Sequence, residues 1–186
     1  METERLLLRH WKAEDKEDYA LYASDLEVML SSGAKPCIDN QQINEGLERL
    51  LNNENAFAIV LKETGKVIGG IKFQDDGRRF RVASVSIGYE LAKAHWGKGY
   101  MPEAVKAMIF HAFEEKKVEV VSIGHFTVNE KSRRVIEKCG FKYEGIIRSA
   151  YKRFDGVIFD DVAYSILKED YENNREFYKV KFTDET

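Results

Sequence analysis

His95-Trp-Gly-Lys-Gly-Tyr-Met-Pro-Glu-Ala104 is a glycine-punctuated turn set between a strand and a helix. Upstream, Val85-Ser-Ile-Gly-Tyr-Glu-Leu91 has the β-branched and aromatic content that predicts a strand. Downstream, Val105, Met108, Ile109, Ala112 and Phe113 recur at helical spacing. Gly97 and Gly99 allow the backbone to approach a ligand where a Cβ would intrude. A helix start adds unpaired N–H groups and the positive end of the helix dipole. The combination predicts a site for an anionic oxygen, most naturally a phosphate.

Two other phosphate motifs are excluded by spacing. A Walker loop needs Gly-Lys followed by Ser or Thr and a glycine five positions upstream, but Gly97-Lys98 is followed by Gly99 and Ala92 stands upstream. A dinucleotide fingerprint needs a third glycine where Pro102 stands. Pro102 suits a first helical turn, where its missing N–H costs least, though it removes one donor from the cradle.

Outward from the turn, Arg5–Arg9 reads as a first strand and Ala13 to about Leu26 as a helix, with Tyr19, Tyr22 and Leu26 at helical spacing. Asp39 is placed to cap a second helix through about Leu51. Strands are predicted over Ala56–Leu61 and Lys66–Phe73, joined at Thr64-Gly65, and from the Asp75-Asp-Gly77 turn to Leu91. After the glycine-turn helix, which ends near Lys117, come a strand over Val118–Phe126 and a short helix over Asn129–Cys139. Asn129 fits an N-cap there and Gly140 a stop. Phe141–Tyr151 and Val157–Leu167 pair across Asp155-Gly156, and a polar tail with short-helix character follows from about Lys168. This order is α+β: a mixed, mostly antiparallel sheet with helices on both faces, not a doubly wound dinucleotide fold. The 186 residues read as one domain over 1–186, with a core over about 3–171.

Composition narrows the function. The chain is 44% hydrophobic and 33% charged with a net charge of −3, values of a globular protein with no overall bias toward nucleic acid. No apolar run approaches a membrane span, so the expectation is a soluble cytoplasmic protein without a membrane partner. Cys37 and Cys139 have no metal-like spacing, nor do His10, His95, His111 and His125, so no metal is expected.

The turn and a second cluster together resemble the GNAT family of N-acetyltransferases. The matching segments are Ile87-Gly-Tyr-Glu-Leu91, Trp96-Gly-Lys-Gly-Tyr100 and Glu103-Ala104. They continue in Asn129-x-x-Ser132, Glu137-Lys-Cys-Gly-Phe141, Glu144-Gly145, Gly156, Asp161 and Tyr164-Ser165. With the opening Thr3-Glu-Arg-Leu-Leu-Leu-Arg9, they look most like the RimJ/RimL-type branch, which includes ribosomal-protein N-terminal acetyltransferases.

The resemblance implies acetyl-CoA as cofactor and a splayed gap beside the strand that precedes the turn. It implies that Leu91 and Ala92 lie along the pantetheine arm and that the N–H groups of Gly97, Lys98, Gly99, Tyr100 and Met101 cradle the pyrophosphate. Trp96 then covers or underlies that loop. The family often has a small residue where Met101 stands, a departure at one contact. Asn129 is implied to bond the pantetheine, or else to serve as helix cap, and Ser132 to lie near the cofactor sulfur and help the thiolate leave. Lys131, Arg133 and Arg134 could reach the terminal phosphate, although a charged run on a helix is usually a solvated face.

Glu90 is a candidate base if its pKa is raised; the plainer reading is a surface carboxylate. Tyr151 is a candidate to orient the amine or relay a proton; the plainer reading is core packing. The expected reaction is direct attack of a primary amine on the thioester, whose carbonyl is polarised by backbone donors. No carboxylate marks itself as a strong base, which favours an α-amine such as a protein N-terminus. A polyamine or aminoglycoside amine is the alternative, and a non-catalytic CoA-binding regulatory domain a further one. A second copy of the chain is a candidate partner.

Overall fold

The structure, a computed structural model, describes residues 1–179. The strands are β1 (Leu6–His10), β2 (Ala56–Leu61), β3 (Lys66–Gln74), β4 (Ser84–Leu91), β5 (Val120–Phe126), β6 (Lys142–Lys152) and β7 (Ile158–Leu167). The helices are α1 (Lys16–Ala23), α2 (Leu26–Ser32), α3 (Asn40–Leu51), α4 (Tyr100–Glu114), α5 (Glu130–Lys138), α6 (Lys168–Asn173) and α7 (Arg175–Tyr178). The strands form a seven-stranded sheet in the order β1-β2-β3-β4-β5-β7-β6. The pairs β1–β2, β2–β3, β5–β7 and β6–β7 are antiparallel, and β4–β5 is parallel. The parallel ladder covers only Ser84–Ser86 against Val120–Ser122, although β4 runs on to Leu91.

The chain divides into two compact units. The first comprises Met1–Lys72 and Gly88–Ala104. Its core is built on β2, an unbroken apolar run buried along its whole length, as expected of a strand covered on both faces. Leu6 and Leu8 of β1, Tyr19, Tyr22 and Ala23 of α1, Val28 and Met29 of α2 and Leu47 of α3 are buried with it. Asp39 caps α3 as its sequence predicts, its Oδ1 accepting from the Gln42 N–H at 2.8 Å.

The single helix expected from Ala13 to Leu26 is instead a 3-10 turn followed by two helices. Asp25 is the cause: its Oδ1 accepts from the N–H groups of Glu27 (2.9 Å) and Val28 (3.1 Å), which starts α2 afresh. Leu26, expected on the buried stripe of the first helix, is exposed in consequence.

The second unit comprises Phe73–Ile87 and residues 105–179. Val105, Ala107, Met108 and Ile109 of α4 are fully buried, as are Ile136 of α5 and Ile166 of β7. Helices α6 and α7 extend this core past residue 171. Tyr171 stacks on Phe113 at 4.6 Å, and its hydroxyl donates to Glu114 at 2.6 Å. Tyr178 is only 3% exposed and donates to the Cys139 carbonyl at 3.0 Å. The tail is polar in composition, yet its aromatic residues hold it down; the expected tail residues 180–186 lie outside the described residues.

Tyr178→Ala should therefore lower the unfolding free energy by about 3 kcal/mol, the usual cost of removing a buried aromatic ring. Tyr178→Phe should lose only about 1 kcal/mol, the worth of one hydrogen bond. Urea denaturation of both variants measures this. A loss below about 1 kcal/mol in the alanine variant would mean that the tail is not part of the core.

Candidate active site

The first unit holds the end of β4, the glycine turn and the start of α4, and so brings Glu90, Leu91, Ala92, Trp96, Gly97, Lys98, Gly99, Tyr100 and Met101 together on one continuous segment. Gly97 and Gly99 adopt φ of 75° and 83°, the left-handed region that β-carbon residues avoid. The N–H groups of residues 97–101 have no hydrogen-bond partner among the described residues. Four turns of α4 stand behind them, so these donors sit at the positive end of a helix dipole. Lys98 adds an exposed positive charge. Met101 is 4% exposed, so its large side chain is buried in the protein and is not what the turn presents outward.

The backbone before the turn is already tied. The Trp96 indole donates to the Leu91 carbonyl at 2.7 Å. The Ala92 N–H donates to the Ile68 carbonyl at 2.8 Å, and the Ala92 carbonyl accepts from the His95 N–H at 2.9 Å. Trp96 also packs against the first unit's core. A β-carbon on Gly69 would collide with the Glu90 carbonyl, so glycine is required where β3 passes this point.

Glu90 is half-buried rather than a free surface carboxylate. Burial raises its pKa above the ordinary carboxylate value, against the opposing influence of Lys72 and a hydrogen bond from Ser32. Burial and then the charge of Glu90 hold the Tyr22 phenol well above its usual pKa, so Tyr22 remains a neutral hydroxyl. Burial, followed by Lys98, lowers the pKa of His95, which favours its neutral form. The buried Trp11 indole N–H and His95 Nδ1 have no partner among the described residues.

Arg5 and Glu103 were not apparent as site residues. Arg5 Nη2 pairs with Glu103 Oε2 at 2.7 Å, and its Nη1 donates to the Lys98 carbonyl at 3.0 Å. The guanidinium lies 4.6 Å from the Tyr100 ring centroid. The signal available was the Thr3–Arg9 segment together with Glu103 beside the turn, but nothing in the sequence joins residues 98 positions apart.

The second unit holds Asn129, Ser132 and Tyr151. Asn129 caps α5, its Oδ1 accepting from the Ser132 N–H at 3.0 Å, so these two residues are brought together. Ser132 is half-buried. Arg133 pairs with Glu130 and Glu137 at 2.7 Å each, as on a solvated helix face. Tyr151 is 40% exposed, less buried than the packing reading expects, although its ring lies 5.1 Å from that of Phe126. His111 stacks on Phe73 and is structural. Cys139 is buried, which pushes its thiol up to about 12 and leaves it unreactive.

Comparison with known proteins identifies relatives of the whole domain. The family model described as acetyltransferase (GNAT) domain matches residues 5–142. Over 178 residues the chain is 32% identical to the uncharacterized N-acetyltransferase p20 of Bacillus licheniformis, covering 91% of this chain and 96% of that protein. The ribosomal-protein-S5-alanine acetyltransferase of Vibrio fischeri matches with a TM-score of 0.74 at 25% identity, covering 92% of this chain and 97% of that one. The spermidine N-acetyltransferase of Vibrio cholerae, solved with CoA and spermine, shares the fold at a TM-score of 0.75 and 18% identity, covering 91% and 99%.

The burial of Glu90 has a pH signature. Its raised pKa means that the unfolded chain ionises this group first as pH rises. The wild type therefore loses stability from the unfolded pKa up to the folded one, and the loss is constant above it. Glu90→Gln should match the wild type at low pH and gain on it through that window. Urea unfolding at a series of pH values tests this, and a difference independent of pH would mean that the carboxylate carries no burial cost.

Proposed function

The chain belongs to the GNAT family of acetyltransferases and is an N-acetyltransferase, and from that premise we propose that it moves the acetyl group of acetyl-CoA to the α-amine of a peptide or protein N-terminus. The observation that carries the cofactor half is the row of unpartnered N–H groups over residues 97–101, with Gly97 and Gly99 in left-handed conformations at the start of α4. These donors hold the pyrophosphate, as a helix start holds any phosphate. Lys98 supplies charge. Leu91 and Ala92 lie along the pantetheine arm by contact, because the Leu91 carbonyl and both backbone groups of Ala92 already bond within the protein. Asn129 shapes the start of α5 and so fixes Ser132, which donates to the departing sulfur.

In the reaction the neutral amine attacks the thioester carbon, a C–N bond forms and the C–S bond breaks. The ammonium proton passes to Glu90, directly or through water, and the thiolate is met by the Ser132 hydroxyl. Burial makes Glu90 a stronger base than an exposed carboxylate. At pH 7, forming the neutral amine costs about 1 kcal/mol for an α-amine and about 4–5 kcal/mol for a lysine or polyamine nitrogen. The α-amine is therefore the better match. Similarity to the Vibrio fischeri protein named for ribosomal protein S5 supports that class. Fold likeness to the Vibrio cholerae spermidine enzyme makes polyamines the second reading.

The acceptor is tested by kcat/KM for three substrates: a peptide with a free N-terminus, the same peptide N-terminally blocked but carrying a lysine, and spermidine. The free N-terminus should be preferred, with a rate that rises with pH and levels near the α-amine pKa, about 8. A faster blocked peptide or spermidine would overturn the α-amine assignment.

Ser132→Ala should lower kcat by about tenfold or more while leaving CoA affinity nearly unchanged, because a bond that strengthens only as the thiolate forms acts on the rate. An unchanged kcat at saturating substrates would return Ser132 to a structural role.

A further inference from the structure

Glu103 presents an electrostatic difficulty for an anion site. It lies in the first turn of α4, where a carboxylate suits the helix dipole but repels any phosphate bound at the same helix start. The first unit answers this with four donors. Glu103 Oε1 accepts from the Thr3 hydroxyl at 2.6 Å and the Arg5 N–H at 2.9 Å, and Oε2 takes Arg5 Nε and Nη2, each at 2.7 Å. Burial opposes the ionisation of Glu103, but the bonds from Thr3 and Arg5 outweigh it, and the carboxyl is held below its ordinary range.

The same guanidinium then reaches the turn. Nη1 donates to the Lys98 carbonyl at 3.0 Å, and the planar group covers the Tyr100 ring. An ideal Cβ on Gly99 would lie 3.3 Å from Arg5 Nη2, so the fork and the glycine fit closely. Turning the Lys98 carbonyl onto Arg5 fixes the peptide whose other end is the Gly99 N–H, one of the cradle donors. A lysine could match the charge of Arg5 but not its planar, five-donor fork.

We propose that Arg5, at the edge of β1, is the positioning residue of the cofactor cradle. It fixes the orientation of the turn's peptides through Lys98 and Tyr100, and it neutralises Glu103 so that the helix start remains attractive to a diphosphate. The inference rests on reading residues 97–101 as the pyrophosphate cradle.

The test is calorimetric titration of CoA into the wild type, Arg5→Met, Arg5→Lys, the double variant Arg5→Met/Glu103→Gln, and Gly99→Val, each checked for folding by circular dichroism. Arg5→Met should weaken CoA binding about tenfold, the scale of one charge-assisted contact. Arg5→Lys should fall between Arg5→Met and the wild type. The double variant should bind CoA better than Arg5→Met alone, since the stranded carboxylate is gone. A second readout is the ratio of kcat/KM for acetyl-CoA to that for acetyl-pantetheine, which has no phosphate. It should fall by the same factor in Arg5→Met, whereas a general loss of structure would lower both substrates together and leave the ratio unchanged. Unchanged CoA affinity in Arg5→Met, with Gly99→Val weakened, overturns the role of Arg5 and leaves the cradle standing. Unchanged affinity in both variants overturns the cradle itself. A double variant no better than Arg5→Met overturns the neutralisation of Glu103.

Discussion

The passage from β4 into α4 turns on two residues at positive φ, Gly97 and Gly99. The glycines let the turn run into the helix, whose first N–H groups have no intrahelical acceptor, and five consecutive N–H groups, those of residues 97–101, are unpartnered among the described residues. Unsatisfied donors are tolerable here only because the turn is exposed to solvent or to a ligand. The neighbouring contacts serve this arrangement. Trp96 bonds back to the Leu91 carbonyl, Ala92 bonds across to Ile68, and Arg5 holds the Lys98 carbonyl. The turn is thus tied on both flanks while its donors stay free.

Burial gives the same segment a second property. At Glu90, two residues before Ala92, the chain accepts a half-buried carboxylate near Lys72 and Ser32. A structural carboxylate would ordinarily be paired well enough to hold its pKa down, as Glu103 and Asp15 are. Glu90 shows the opposite balance: desolvation exceeds the favourable interactions. That imbalance costs stability and is characteristic of groups poised to take a proton.

Much of this was legible in the sequence where the deciding interaction is local. Asp39 before an apolar stripe, Asn129 three residues before Ser132 and the paired glycines at 97 and 99 each specify their structure within one turn of chain. The α1–α2 break was missed because helical spacing continues through Leu26, whereas a single Asp25 cap overrides it. The tail beyond residue 171 looks polar because its charged residues outnumber its aromatics; the fold instead depends on where Tyr171 and Tyr178 land. Glu90 looked like a surface group because burial is a tertiary property that no spacing reveals. Arg5 and Glu103 were hidden for the same reason.

The overall charge of −3 argues weakly against a strongly anionic ligand, yet the turn is built as an anion cradle. The two are compatible because electrostatics at a binding site is settled within about one Debye length, roughly 8 Å at physiological salt. Among the charges tied to the turn itself, the acidic one is paired. Glu103 is matched by Arg5, Lys98 remains, and the α4 dipole adds to it. These contributions favour an anion there even though the chain as a whole is acidic. A mildly acidic protein can in this way hold an anion, provided that an acidic group beside the cradle has a partner, which is the service Arg5 performs for Glu103.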